Sequence, residues 1–295
     1  MFIVAEQRRP LDHHGRLTVT SSSLALLNSD GVRQDAEMEL TAITFDVDAH
    51  VATITLNRPE ALNAFNREMA EEMSFAWQQV RDRDDISVAV LQANGDRAFC
   101  TGIDFTSDME WLTPKNRWNS IDPGVMLSPK FHHKVWKPVV VAVHGLCAGG
   151  AQYFLNEADL IVCSDDAQFF DPHANVGIVS ALEPIGMLAR GVPLGEVLRW
   201  ALMGTEERIG ADTALRIGLV SEVVAKADLR DRAQEIASSI AGRNSIAIQG
   251  TVRAIWESLE MPRQIALQNG LAYALLGNEP DAISQPRRNE KPTIR

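Results

Sequence analysis

The sequence predicts an α/β protein with a helical C-terminal region. Two patterns point there. Short apolar runs rich in β-branched residues, such as Val139-Val140-Val141-Ala142-Val143, alternate with stretches of helical spacing. From Leu229 onward helical spacing continues without a strand signal. Composition agrees: 295 residues, 45% hydrophobic and 23% charged, suit a globular chain with one sizeable core.

Residues 1–37 hold Arg8-Arg9-Pro10, His13-His14-Gly15 and Thr20-Ser21-Ser22-Ser23 with no sustained period, and read as a disordered tail. Met38 stands just before the first clean pattern and is a candidate start. Ala42–Val47 and Val51–Leu56 alternate apolar and polar residues around Asp48-Ala49-His50, which predicts a hairpin. Asn66 is placed to cap a helix carrying Met69, Met73, Ala76, Trp77 and Val80 on one face. Ser87–Ala93 follows as a strand turned by Asn94-Gly95. A second unit has strands at Val139–Val143 and Leu160–Cys163, with a helix from about Gly149 to Glu157 between them. Residues 105–130 form a long irregular connection. A short helix over Ala211–Ile217, stopped by Gly218, leads to a strand over Leu219–Val224. Helices are expected over 229–241, 244–259 and 262–276. This divides the chain into a ββα core over 38–228, a helical region over 229–280 and a flexible tail over 281–295.

Lys and Arg number 28 against 39 Asp and Glu, a net charge of −11, which argues against a nucleic-acid binder or a coat on anionic membranes. Three cysteines are too few for a disulfide framework or a zinc ribbon and fit a reducing cytoplasm. No apolar run approaches about 18 residues, and no export signal is evident, so a cytoplasmic location is expected. His132-His133 lacks a third ligand at a convincing spacing, so no metal site is expected. No GxGxxG follows the first strand, which leaves a nicotinamide-dinucleotide site unsupported. Cys147 has no evident activating partner and is a weak candidate nucleophile.

Two glycine-bearing stretches carry the candidate chemistry. Phe99-Cys100-Thr101-Gly102-Ile103-Asp104 follows a strand, and His144-Gly145-Leu146-Cys147-Ala148-Gly149-Gly150 joins a strand to a helix. Each suits close helix or loop packing, and each also suits the presentation of backbone N–H donors. Two such donors converging on one oxygen make an oxyanion hole.

With these stretches the chain resembles the crotonase (enoyl-CoA hydratase/isomerase) superfamily over residues 39–280. The likeness rests on Thr53-Ile54-Thr55-Leu56-Asn57-Arg58-Pro59 with Ala61-Leu62-Asn63-Ala64, on Phe99 to Asp104, on Lys137-Pro138 through Gly150, and on Ala158-Asp159-Leu160 followed by Ala167-Gln168-Phe169. The resemblance implies a crotonase-like spiral of ββα units and an acyl-CoA substrate. It places the oxyanion hole at the backbone N–H groups of Ile103 and Gly150. It places substrate binding at Ala61, Leu62, Ala64, Gly102, Asp104, Phe105, Thr106 and Gly149. It implies a homotrimer or a dimer of trimers, with no cofactor beyond the coenzyme A carried by the substrate.

The chain departs from the hydratase pattern at both catalytic carboxylates. Tyr153 and His173 occupy the positions where hydratases of this family carry Glu. His173 titrates near neutrality and suits a general acid or base; Tyr153 suits hydrogen bonding rather than base chemistry. A packed helix residue accounts for Tyr153 equally well, whereas for His173 the matched position favours a functional role over a satisfied structural histidine. Asp171, Glu183 and Asp104 are spare carboxylates nearby in sequence. Hydration or isomerisation through an enolate is the leading expectation. The alternatives are hydrolysis of a thioester or a β-keto carbon–carbon bond with His173 as base, and a non-catalytic CoA-ester binder. Trp111, Trp118, Trp136, Phe105 and Phe131 suit either an acyl pocket or the packing of the long loop.

Overall fold

The computed structural model describes residues 38–112 and 122–277. The expected tails over 1–37 and 281–295, and Trp118, lie outside the described residues. The chain opens with an antiparallel hairpin of β1 (Ile43–Asp48) and β2 (Val51–Leu56), in which Asp48 faces Val51. Ala49 and His50 close it with φ of 44° and 68°, the left-handed pair that a two-residue primed turn requires. Asn66 caps α1 (Arg67–Asp82) by accepting the Met69 N–H, and the stripe from Met69 to Val80 is buried. Next come β3 (Val88–Ala93), β4 (Ala98–Cys100), β5 (Val139–Val143), β6 (Leu146–Ala148), α2 (Gln152–Asn156), β7 (Leu160–Ser164) and β8 (Gln168–Phe170). The rest is α3 (Leu182–Ala189), α4 (Leu194–Met203), β9 (Ile209–Gly210), α5 (Ala211–Arg216), β10 (Glu222–Val224), α6 (Leu229–Ala241), α7 (Ser245–Ser258) and α8 (Arg263–Leu276).

The strands form two sheets. A six-stranded sheet runs β1-β2-β3-β5-β7-β10, parallel from β2 onward. A four-stranded sheet runs β4-β6-β8-β9. Three times the chain leaves the large sheet, turns, and adds one three-residue strand to the small sheet: β3 to β4, β5 to β6, β7 to β8. The main core holds Trp77, Phe99, Phe154 and Phe169. A second cluster packs Leu229, Ala233 and Ala237 of α6 on Val88, Val90, Val140 and Val162, so both faces of the central strands are covered.

The short strands of the small sheet differ from expectation. The region after Gly145 reads as turn and helix, yet it forms β6, a single 3-10 turn over Gly149–Ala151, and a five-residue α2. The strand expected over Leu219–Val224 is confined to Glu222–Val224.

A buried ion pair ties α7 to the core. Lys130, with a fully buried side chain, donates Nζ to Asp159 at 2.6 Å and to the Lys137 carbonyl at 3.0 Å. Asp159 also accepts the Val139 N–H and the Trp256 Nε1–H, each at 2.6 Å. Removing one member strands a buried charge. Asp159→Ala is therefore expected to cost about 3–5 kcal/mol of unfolding free energy in urea titrations. Trp256 emission should report early loosening of α7.

Candidate active site

The ends of β4, β6 and β8 stand side by side because these strands pair in parallel, Cys100 opposite Cys147 and Ala148 opposite Phe170. Their C-terminal ends lead to Gly102-Ile103, Gly149-Gly150 and Asp171-Pro172-His173. Phe65 then fixes the first of these ends. Its N–H donates to the Gly102 carbonyl at 2.8 Å, and its carbonyl accepts the Asp104 N–H at 2.9 Å. This bridge uses the groups on either side of Ile103 and turns the Ile103 N–H the other way. Neither the Ile103 N–H nor the Gly150 N–H has an acceptor among the described residues. Gly102 has φ of 84°, and a Cβ there would lie 3.0 Å from the Ala148 carbonyl oxygen and 3.1 Å from the Gly150 nitrogen. A side chain at Gly150 would meet the Phe65 ring at 2.8 Å. The two amide-bearing segments thus approach as closely as glycine permits.

The Ala61–Ala64 loop is tied to the same centre. Leu62 and Asn63 have φ of 54° and 53°. The fully buried Asn63 accepts the Arg58 N–H and donates to the carbonyls of Asn94 and Ala98, at 2.9, 2.9 and 3.0 Å. Arg58 donates to the Ala64 carbonyl at 2.5 Å and to Asp104 at 2.9 Å. Asp104 also accepts from the Thr106 hydroxyl and N–H, at 2.6 and 3.0 Å. The Thr106 hydroxyl and the Arg58 guanidinium hold its carboxyl below the usual range despite partial burial. Asp104, expected as a substrate contact, spends its carboxylate on joining the two loops. Phe105, with Thr106, stays exposed beside them.

His173 opens a short 3-10 turn after Pro172. Asp171, fully buried, bonds His173 Nδ1 and accepts the His173 N–H at 3.1 Å through the same oxygen. Its other oxygen has no partner among the described residues. Nε2 of His173 lies 3.9 Å from Glu183 Oε1. The hydrogen bond to Asp171 raises the His173 pKa against partial burial, helped by the charges of Asp171 and Glu183. Burial raises the Glu183 pKa, with Asp171 and Asp122 adding to it and His173 opposing. A Cβ on Gly149 would come within 3.6 Å of His173 Cε1, so the imidazole is beside the glycine pair. Tyr153 is half-buried on α2, with its ring edge toward Gly150. A Cβ on Gly124 would overlap the other edge of that ring. Burial, then the charges of Glu183 and Asp122, push the phenol far above its ordinary pKa. Tyr153 is therefore a neutral hydrogen-bonding group, unsuited to act as a base.

Other candidates fall elsewhere. Phe131 packs edge-on against Trp256, and Trp136 lies under Arg253, so both meet α7; Phe131 and Trp256 also line a cavity with Asp122 and Tyr153. Trp111 packs on the main core. His133 bonds Ser74 and the Ser128 carbonyl, each at 2.8 Å, as a structural residue. No metal-holding cluster occurs among the described residues. Cys147 is buried, and burial raises its thiol well above the ordinary value. Asn63, Phe65, Asp122 and Gly124 were absent from the expected site. The Ala61-Leu62-Asn63-Ala64 stretch was the one signal that bore on Asn63.

The chain is similar to known proteins over most of its length. The enoyl-CoA hydratase/isomerase family model matches residues 46–278. The chain is 34% identical over 237 residues to an (E)-benzylidenesuccinyl-CoA hydratase of Thauera aromatica, covering 79% of this chain and 88% of that protein. It is 30% identical to a short-chain-enoyl-CoA hydratase of Clostridium acetobutylicum, covering 78% and 87%. The crystal structure of an enoyl-CoA hydratase/isomerase from Mycobacterium paratuberculosis superposes with a TM-score of 0.74 at 34% identity, covering 83% of this chain and 93% of that one.

The His173–Asp171 contact has a measurable consequence. His173 is expected to titrate above about 6.5 in an NMR pH series, and Asp171→Asn should lower that value. Because the folded pKa is raised, the pair stabilises the fold fully below the unfolded value and ceases to do so as pH rises through the folded one.

Proposed function

The chain belongs to the enoyl-CoA hydratase/isomerase family, and we propose that it acts on an acyl-CoA thioester through an enolate, with His173 as a proton-transfer group. The observation that carries this reading is the pair of N–H groups, Ile103 and Gly150, with no acceptor among the described residues, beside an imidazole held by a buried carboxylate. The thioester oxygen accepts from both amides, and negative charge that develops there is stabilised by fixed dipoles. Gly102 and Gly149 leave room for the thioester. Ala61, Leu62, Ala64, Phe105 and Thr106 border the entry for coenzyme A, and Asp104 holds that border in place through Arg58. Coenzyme A arrives as part of the substrate, and the proposed steps draw on no further cofactor.

Relatives that are hydratases favour addition of water across a 2-enoyl thioester, or the reverse. His173, held in one orientation by Asp171, takes a proton from water or returns it to the leaving hydroxyl. Tyr153 donates a hydrogen bond and keeps its proton. The Asp171–His173 pair also favours a second reading, hydrolysis, because a carboxylate-oriented imidazole activates water for attack on a carbonyl.

A homo-oligomer, a trimer or a dimer of trimers, is part of the proposal. Leu194, Leu198 and Leu202 on α4, and Leu267, Leu271 and Leu275 on α8, expose apolar side chains. Buried free thiols at Cys100, Cys147 and Cys163 suit the reducing cytoplasm.

Mass spectrometry of 2-enoyl-, 3-enoyl- and 3-oxoacyl-CoA esters incubated in deuterated water tests the reading. Water addition, double-bond shift or CoA release by the wild type, reduced at least about 100-fold in His173→Ala, is the expected result. Binding of these esters without turnover would point to a non-catalytic binder.

A further inference from the structure

Enoyl hydration needs two proton transfers: one from the water that attacks C3, and one to C2. The family pattern provides two carboxylates, and this chain has neither at the matching positions. His173 accounts for one transfer. Tyr153 cannot account for the other, because its surroundings hold the phenol in its neutral form.

A carboxylate from another element fills the gap. Glu183 lies in the first turn of α3 and is buried, with its side chain 7% exposed. Asn156 of α2 fixes it from behind, donating to the Glu183 carbonyl at 3.0 Å. Gly186, one turn on, packs so closely on the Asn156 side chain that a Cβ there would overlap it. Four groups face the Glu183 carboxyl: His173 and Asp171 from the turn after β8, Tyr153 from α2, and Asp122 from the 122–127 loop. The 3.9 Å from Oε1 to His173 Nε2 is too long for a direct hydrogen bond. One oxygen atom placed about 2.8 Å from both would see them at an angle of roughly 90°, near the tetrahedral arrangement of water.

We propose that Glu183 is the second catalytic residue of the site, sharing with His173 the oxygen that adds to the substrate and delivering the proton to C2. The proposal rests on the hydratase reading above. In the hydration direction, the water oxygen bonds to C3 while His173 Nε2 takes one water proton. The C2=C3 pair shifts toward C1, and the charge comes to rest on the thioester oxygen held by Ile103 and Gly150. The enolate collapses as the protonated Glu183 gives its proton to C2. The product carries OH on C3 and H on C2. Passage of the proton from imidazolium to carboxylate restores the starting forms. Burial favours the protonated acid that this order requires.

The two transfers separate experimentally. A saturated acyl-CoA exchanges its C2 hydrogen with deuterated water through the C2 transfer alone, with no C3 chemistry. Hydration of a 2-enoyl-CoA needs both groups. Glu183→Gln is expected to lose hydration and C2 exchange alike, each at least about 100-fold, with unchanged affinity for the saturated thioester. His173→Ala is expected to lose hydration yet keep measurable C2 exchange. Glu183→Asp retains a carboxylate, so it should recover part of the exchange and keep the corresponding ionisation in the pH profile of kcat/KM, which Gln removes. This variant also separates chemistry from folding. Hydration by Glu183→Gln within a few-fold of wild type, or C2 exchange lost in His173→Ala but kept in Glu183→Gln, would overturn the role of Glu183 while leaving the hydratase reading intact. Wild-type protein that binds 2-enoyl-CoA without hydrating it would overturn both.

Discussion

The site depends on the parallel pairing of three very short strands. Strands of three residues contribute little stability by themselves. They persist because each continues directly from a strand of the large sheet and because Phe99, Cys147 and Phe169 are buried between the sheets. The pairing places residues 102–103, 149–150 and 171–173 next to one another although Gly102 and His173 are 71 positions apart. The Phe65 bridge adds the final constraint by deciding which way the Ile103 N–H points. The proposed oxyanion hole would therefore be built from backbone alone, held by apolar packing on one side and by the Asp104–Arg58–Asn63 links on the other.

The electrostatics follow from crowding. Asp171, Glu183 and Asp122 gather around one imidazole and one phenol. Burial, with the charges of Asp171 and Asp122, raises the Glu183 pKa, so this carboxyl binds a proton more readily than an isolated one. The nearby imidazole offsets part of that cost. Clustered titratable groups of this kind suit a site that moves protons. The proposed role of Glu183 gives the carboxylate missing from α2 a counterpart on α3, while His173 stands at the second missing position after β8.

Much of this was legible in the sequence. The hairpin, α1 with its Asn66 cap, the buried β5 and β7, and the C-terminal helices have strong periodic or capping signals, and the structure shows them. The α/β class and the family were legible for the same reason, because the glycine-bearing turns sit in a recognisable order. The small sheet was less legible. Three residues carry no period, and their strand character comes from neighbours distant in sequence. Composition does not say which way the aromatic rings of the long loop face: Trp136 turns to α7, while Phe131 meets Trp256 and lines a cavity with Tyr153. Glu183 was visible as a nearby carboxylate, but its distance from His173 is set by how α3 packs on α2, through Gly186 and Asn156, which no local pattern encodes.

The Ile103 and Gly150 amides are proposed to polarise a thioester carbonyl. Difference infrared spectroscopy of a saturated acyl-CoA carrying a 13C-labelled carbonyl tests it directly. A carbonyl band at lower frequency in the complex than in water is expected, with the shift largely lost in Gly102→Ala, where the added Cβ crowds the Gly150 nitrogen. A bound ester whose carbonyl band matches that in water, or whose shift survives Gly102→Ala unchanged, would contradict it.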